Sequence, residues 1–196
     1  MFARLFRKDP MKARAGAVYD ALVQAARKPG LYGPNGAPDT VDGRFDMITA
    51  HAILLFRRLR GEGEAAGELN QLVFDRMFDD FDAALREMGT GDLSVGKKIR
   101  EMGEAFYGRA KAYEDALNAG DEAALAAAVD RNLFAEEGEV EDRAPSAAPA
   151  SDETGGAPSP AAQRLARYLM ASARALEDQS PQAIVEGETP RFAAAV

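Results

Sequence analysis

Cysteine and tryptophan are missing from this 196-residue chain, and histidine occurs once, at position 51. Without thiols there can be no disulfide, no thiolate nucleophile and no zinc–thiolate centre. One imidazole leaves a His-based metal site short of ligands, and the Glu-x-x-His pairs of di-iron helical bundles are absent. Long apolar runs are missing too. The longest, residues 47–56, is broken by Thr49 and His51, well short of the roughly 18 residues a membrane span needs. No cofactor, catalytic residue or resident metal is therefore expected. The lack of Cys suits a reducing compartment but is shared by many secreted proteins; a cytoplasmic location is expected.

What is present is acid, but unevenly. The net charge is −8, yet residues 136–160 hold seven acids (Glu136, Glu137, Glu139, Glu141, Asp142, Asp152, Glu153) and one base, Arg143. The rest of the chain is close to neutral. No broad basic face of the kind nucleic acids require is visible, and DNA is not an expected partner.

Hydrophobic periodicity predicts an all-α fold, an antiparallel helical bundle-like domain of about six helices. Helix one spans 10–27, with Ala17, Val18, Ala21, Leu22 and Ala25 on one stripe. A Pro/Gly-rich loop follows. Helix two opens near Gly43 and runs to Leu59. Helix three covers 64–88 and stops at Gly89 and Gly91. Asp92 or Ser94 is expected to cap helix four, which continues to about Asn118. Asp121 caps helix five, which ends near Phe134. Residues 135–160, rich in acid, Pro, Ala, Ser and Gly, read as a disordered linker unable to bury enough apolar surface to order itself. Beyond it, in 161–196, Leu165, Tyr168, Leu169 and Leu176 mark a sixth helix that must fold back on the 10–134 domain to cover its stripe.

Several constellations invite a chemical reading. His51 lies on or beside the apolar stripe of helix two, so a packed histidine competes with a metal, haem or general-base role. Asp75, Asp79 and Asp82 fall at i, i+4, i+7 and share a face. That face suits a solvated surface, an acidic dock for a basic partner, or a divalent metal. The run from Gly89 to Lys98 superficially resembles a phosphate loop, but Lys98 stands where Ser or Thr is required and no strand precedes it. It reads instead as a turn beside a basic surface at Lys97, Lys98 and Arg100. Met47, Met77, Met88 and Met102 sit near apolar stripes, where methionine fills cores or adapts to varied apolar clients. In residues 1–9, a basic arm, Phe2, Leu5 and Phe6 can share a face ringed by Arg4, Arg7 and Lys8. Such a foot suits contact with an anionic membrane surface.

Two blocks carry more Asp, Gly and Arg than a helical core needs: residues 39–46, with Gly43-Arg44-Phe45-Asp46, and residues 72–98. A third is Glu104-Ala105-Phe106-Tyr107-Gly108-Arg109. Together, and in this order, they resemble the ubiquinol–cytochrome c chaperone family, assembly factors for cytochrome b of respiratory complex III. The resemblance covers about residues 12–134, with a weaker match at the C-terminal helix and residues 187–192. The acidic stretch stands as an insertion. With 18 Arg to 6 Lys and no transit peptide, the chain looks like a bacterial member.

The resemblance implies a non-enzymatic chaperone that binds newly made cytochrome b or another complex III subunit, peripheral at the cytoplasmic face of the inner membrane. That membrane surface and the ribosome are further candidate partners. The partner-binding residues expected on this basis are Arg44, Phe45, Asp46, Asp75, Asp79, Asp82, Lys97, Lys98, Tyr107 and Arg109. Gly43, Gly89 and Gly91 are expected to set backbone shape. Two other classes follow from the residues alone. One is a helical RNA or ribosome-surface binder using Arg57, Arg58, Arg60, Lys97, Lys98 and Arg100. The other is a metal-dependent enzyme using the Asp stripe and His51.

Overall fold

The computed structural model describes residues 9–134 and 157–195. Among them are seven α-helices and no strand: α1 Pro10–Ala26, α2 Val41–Leu59, α3 Glu64–Glu87, α4 Asp92–Ala119, α5 Glu122–Leu133, α6 Pro160–Glu177 and α7 Pro181–Glu186. The fold is all-α, with one helix more than the sequence predicts. The addition, α7, is too short to show a stripe. Its start is set by Ser180, whose hydroxyl accepts from the Ala183 N–H, and its end by Gly187 at φ 114°. The basic arm, with Phe2, Arg4, Leu5, Phe6, Arg7 and Lys8, lies outside the described residues, as does most of the expected linker.

Caps decide where the helices start. Asp9 accepts from the Met11 N–H ahead of Pro10. Thr40 Oγ1 accepts from the Gly43 N–H at 3.1 Å, which starts α2 two residues before Gly43. Gly43 is obligatory at this turn, because a Cβ there would sit 2.1 Å from the Pro38 carbonyl oxygen. At the α3–α4 turn the expected Asp92 or Ser94 cap is not formed. Gly91 occupies the cap position without a side-chain bond, and the Asp92 carboxylate is held instead by Arg86. Gly89, at φ 86°, supplies the left-handed residue that lets the chain turn.

Helix α2 is the axis of the molecule. Residues 45–55 are all buried, and α2 packs on α1, α3, α4, α5 and α6. A helix enclosed on every side has no solvent face, so its polar residues Asp46, Thr49 and His51 are buried with the rest. Arg58, at the C-terminal end of α2, donates to the carbonyls of Leu176 and Gln179. Arg14, at the N-terminal end of α1, donates to that of Val185. Both ends therefore meet the α6–α7 corner, so α1 and α2 are antiparallel. Only residues 60–63 join α2 to α3, which turns back beside α1. No helix among the described residues is long and apolar enough to cross a membrane.

Helix α6 lies on α5 and α2. Ser159 caps it, and Ser159 in turn donates its N–H and hydroxyl to Asp130 Oδ1 on α5 at 3.0 and 2.6 Å. The C-terminal segment returns across α6. Gln179 bonds the backbone of Thr189 and Arg191 and the side chain of Glu188, and the Ser172 hydroxyl accepts from the Ala193 N–H.

Candidate functional site

Two polar clusters are locked into the interior. In the first, Asp46 of α2 accepts from Arg109 of α4 at 2.6 Å, with side chains only 6% and 3% exposed. Arg109 Nε also donates to Asn132 of α5, whose own amide donates to the Ala128 carbonyl. Three helices are thereby fixed in register. In the second, His51 is fully buried, with Nδ1 2.7 Å from the Met47 carbonyl and Nε2 2.7 Å from the Tyr168 hydroxyl. A carbonyl only accepts, which assigns the ring proton to Nδ1 and makes Tyr168 the donor to Nε2. Burial holds the imidazole neutral, its pKa lowered to about 4, and pushes the Tyr168 phenol up to about 12. Phe192 from the C-terminal segment packs on the His51 ring at 4.8 Å. His51 is thus a packed histidine with both nitrogens in use.

The candidate site lies on the other side of α2. Phe56 of α2, Phe74 and Phe78 of α3, and Phe106 and Tyr107 of α4 form one run of rings. Phe74 touches Phe78 at 4.6 Å, Phe106 at 5.3 Å and Tyr107 at 6.3 Å between centroids. The run starts in the core, where Phe45 meets Phe81 edge-on at 4.6 Å, and ends in solvent, where Tyr107 is 66% exposed. Between the helices is an open groove of about 220 Å³, with Arg60 and Glu114 at its rim. Asn70 lines it. Its amide donates to the Phe56 carbonyl at 3.3 Å, while its buried Oδ1 accepts no hydrogen bond among the described residues. Gly67, inside α3, also lines it, and the space above it is open, since a Cβ there would meet nothing within 4 Å.

The residues expected to bind a partner divide by burial. Asp46 and Arg109 form the interior ion pair, and Phe45 is a core ring. All three are buried, where they hold the frame of α2, α3 and α4 together. Arg44 is at the surface, paired with Asp39 at 2.6 Å and stacked 5.4 Å over the Tyr32 ring. Asp75 accepts from Gln71 at 2.7 Å, Asp79 is exposed and Asp82 pairs with Arg86 at 2.5 Å. Lys97 lies 3.8 Å from Glu101, and Lys98 is half-buried on the same turn. Tyr107 lines the groove, Asp75 borders it through Gln71 and Asp79 follows one turn further along α3, whereas Arg44, Asp82, Lys97 and Lys98 belong to the end of the bundle.

The residues proposed for other chemistries are already committed within the fold. Arg57 donates to Glu177 at 2.8 Å, Arg58 to the corner carbonyls, and Arg60 to Glu114 at 2.5 and 2.6 Å. These three of the six cations expected to contact RNA tie α2 to α4 and to the α6–α7 corner. No three His, Asp or Glu side chains converge on a metal-sized site among the described residues. Of the methionines, Met47, Met77 and Met102 are buried and Met88 is 48% exposed. Sequence reading passed over Phe56, Asn70, Phe74 and Phe78 as site residues. The available signal was an excess of rings. Phe74 and Phe78 on α3, with Phe106 and Tyr107 on α4, are more aromatics than one buried stripe requires.

Comparisons with known proteins agree with one another. The sequence model of the ubiquinol–cytochrome C chaperone family matches residues 35–192. The ubiquinol-cytochrome-c reductase complex assembly factor 1 of Xenopus laevis is 25% identical over 129 residues, 66% of this chain; the match spans 64% of that relative's length. A crystal structure of the Cbp3 homolog from Brucella abortus superimposes with a TM-score of 0.77 at 32% identity, covering 100% of this chain and 98% of that one.

Proposed function

From its place in the ubiquinol–cytochrome c chaperone family, to which this chain belongs, we propose that the protein is a non-enzymatic assembly chaperone for ubiquinol–cytochrome c reductase. Its client on this reading is newly made cytochrome b, held through the aromatic groove between α3 and α4. The observation that carries the proposal is a run of rings that leaves the core and ends on the 66% exposed Tyr107. Rings are costly to leave in water, and a groove that keeps them open is suited to an apolar segment presented from outside. Membrane-protein clients carry such segments before they are assembled. Of the exposed members of the expected set, Tyr107, Asp75 and Asp79 lie along the groove, while Arg44, Asp82, Lys97 and Lys98 form a charged surface at the bundle end; such charges select orientation more than affinity. Holding without chemistry needs no nucleophile or metal, and the two interior polar clusters serve to keep the groove in shape. The protein would work at the cytoplasmic face of the inner membrane.

The test is deletion of the gene in its host, followed by measurement of assembled complex III on native gels and by its haem spectra. Loss of the complex, restored by the wild-type gene and not by a Phe74→Ala/Tyr107→Ala variant that still folds, is the expected result. Normal complex III in the deletion strain would sink the chaperone reading.

A further inference from the structure

We infer that the α3–α4 groove selects an apolar segment that has Lys or Arg beside it, with the rings taking the apolar part and Asp75 and Asp79 taking the cations. The inference rests on the chaperone reading and deepens it by naming the chemistry of the client segment.

The asymmetry of α3 is the starting point. Residues 64–82 contain six acids (Glu64, Glu68, Asp75, Asp79, Asp80, Asp82) and one base, Arg76. Arg76 pairs with Asp80 at 3.3 Å, and Asp80 faces Tyr19 of α1, so that pair belongs to the opposite side of the helix. Helical spacing places 67, 71, 74 and 78 in one row along the groove and 75, 79 and 82 in the row beside it. Gln71 belongs to the groove and donates to Asp75, which fixes the acidic row as its border. The groove is therefore apolar along its floor and anionic along one edge.

A matching partner must be apolar with positive charge at its margin. An apolar segment with acidic flanks would meet like charge, and a uniformly basic one would leave the rings in water. The exposed Tyr107 ring gives a cation a face to rest on. Membrane proteins place Lys and Arg next to their spans on the cytoplasmic side, so the end of a span combines these features on the side where the chaperone is proposed to work.

Because the chain has no tryptophan, a short synthetic peptide with one Trp reports its own binding by fluorescence. Three peptides share one apolar sequence and differ only in Lys, Gln or Glu flanks. The Lys-flanked peptide should bind about tenfold tighter than the Glu-flanked one at low salt, and added salt should narrow the gap. Asp75→Asn/Asp79→Asn should abolish the preference while leaving Gln-peptide binding intact. Gly67→Leu, which fills the groove mouth, should weaken all three alike. Equal binding of Lys and Glu peptides, or a Gly67→Leu protein that binds as wild type, would overturn the inference. So would competition by a peptide of residues 1–8 as strong as that of the Lys-flanked peptide, since the groove would then belong to the chain's own arm. Failed complex III assembly in the deletion strain, with no charge preference in the peptides, would overturn this inference and leave the chaperone reading standing.

Discussion

Two groups of aromatic side chains flank α2, and they are finished differently. On the α6 side, His51, Tyr168 and Phe192 sit 4.8 to 5.6 Å apart, and both imidazole nitrogens have partners. The C-terminal segment is pinned over them through Gln179 and Ser172. On the α3–α4 side, Phe56, Phe74, Phe106 and Tyr107 pack at similar spacings, but no described segment of the chain crosses them. One buried acceptor stays unused and one ring projects into water. The same residue types give a closed interior where the chain supplies its own cover and an open groove where it does not. Stability should depend on the first and binding on the second.

The sharpest way to break that division is to attack the sealed interior. Asp46→Ala or Arg109→Ala leaves a buried charge without its main partner and should cost about 3–5 kcal/mol, read by urea or thermal unfolding. The protein that remains folded should bind apolar peptide normally. Loss of binding at full stability would instead move this pair into the site.

The next effect is pH-dependent. The folded pKa of His51, about 4, lies below the ordinary 6.5, so the unfolded chain binds the extra proton. The stability this contributes is complete above pH 6.5 and is lost as pH falls toward 4, by on the order of 3 kcal/mol. Unfolding free energies across that window should show the slope, and a His51→Gln variant should flatten it whatever its own stability. An unchanged slope would detach the pH response from the sealed cluster.

The open side should behave in reverse. Tyr107→Ala should shift stability by no more than about 0.5 kcal/mol, because the ring is largely in solvent. It should weaken peptide binding about tenfold, the usual worth of an aromatic anchor. Smallest of all should be Arg44→Glu. Its exposed pairing with Asp39 is worth at most about 1 kcal/mol, so melting should scarcely move, while client capture in cells falls through the altered bundle end. Full rescue of complex III by that variant would confine the binding surface to the groove and remove the bundle end from it.

Much of the architecture could be read from local signals. The helices follow apolar stripes, and Asp9, Thr40, Asp121 and Ser159 act as caps because each has a short side-chain acceptor at a helix start. Asp92 misled because an acid after glycine is as good a cap in sequence as Gly91 is in space, and Arg86 on the preceding helix outcompeted the backbone for it. The site was harder to see. Asp46 and Arg109 are 63 residues apart, and charge at a turn ordinarily signals surface. Only the enclosure of α2 on all sides reveals that they neutralise one another inside. Conversely the groove at Phe74 and Phe78 gives no local signal, because an i, i+4 stripe does not tell whether another element will cover it.

The clasp between Ser159 and Asp130 has a further consequence. It brings the chain back to α5 within a few residues of where it leaves, so positions 134 and 157, the two ends of that interval, are held on the same helix pair. The entropy of closing such a loop rises only logarithmically, about 0.6 kcal/mol for each doubling of length. An insertion at this junction should therefore cost the molecule little. A fluorescent domain or affinity handle spliced there should leave the helical body and its groove unaltered.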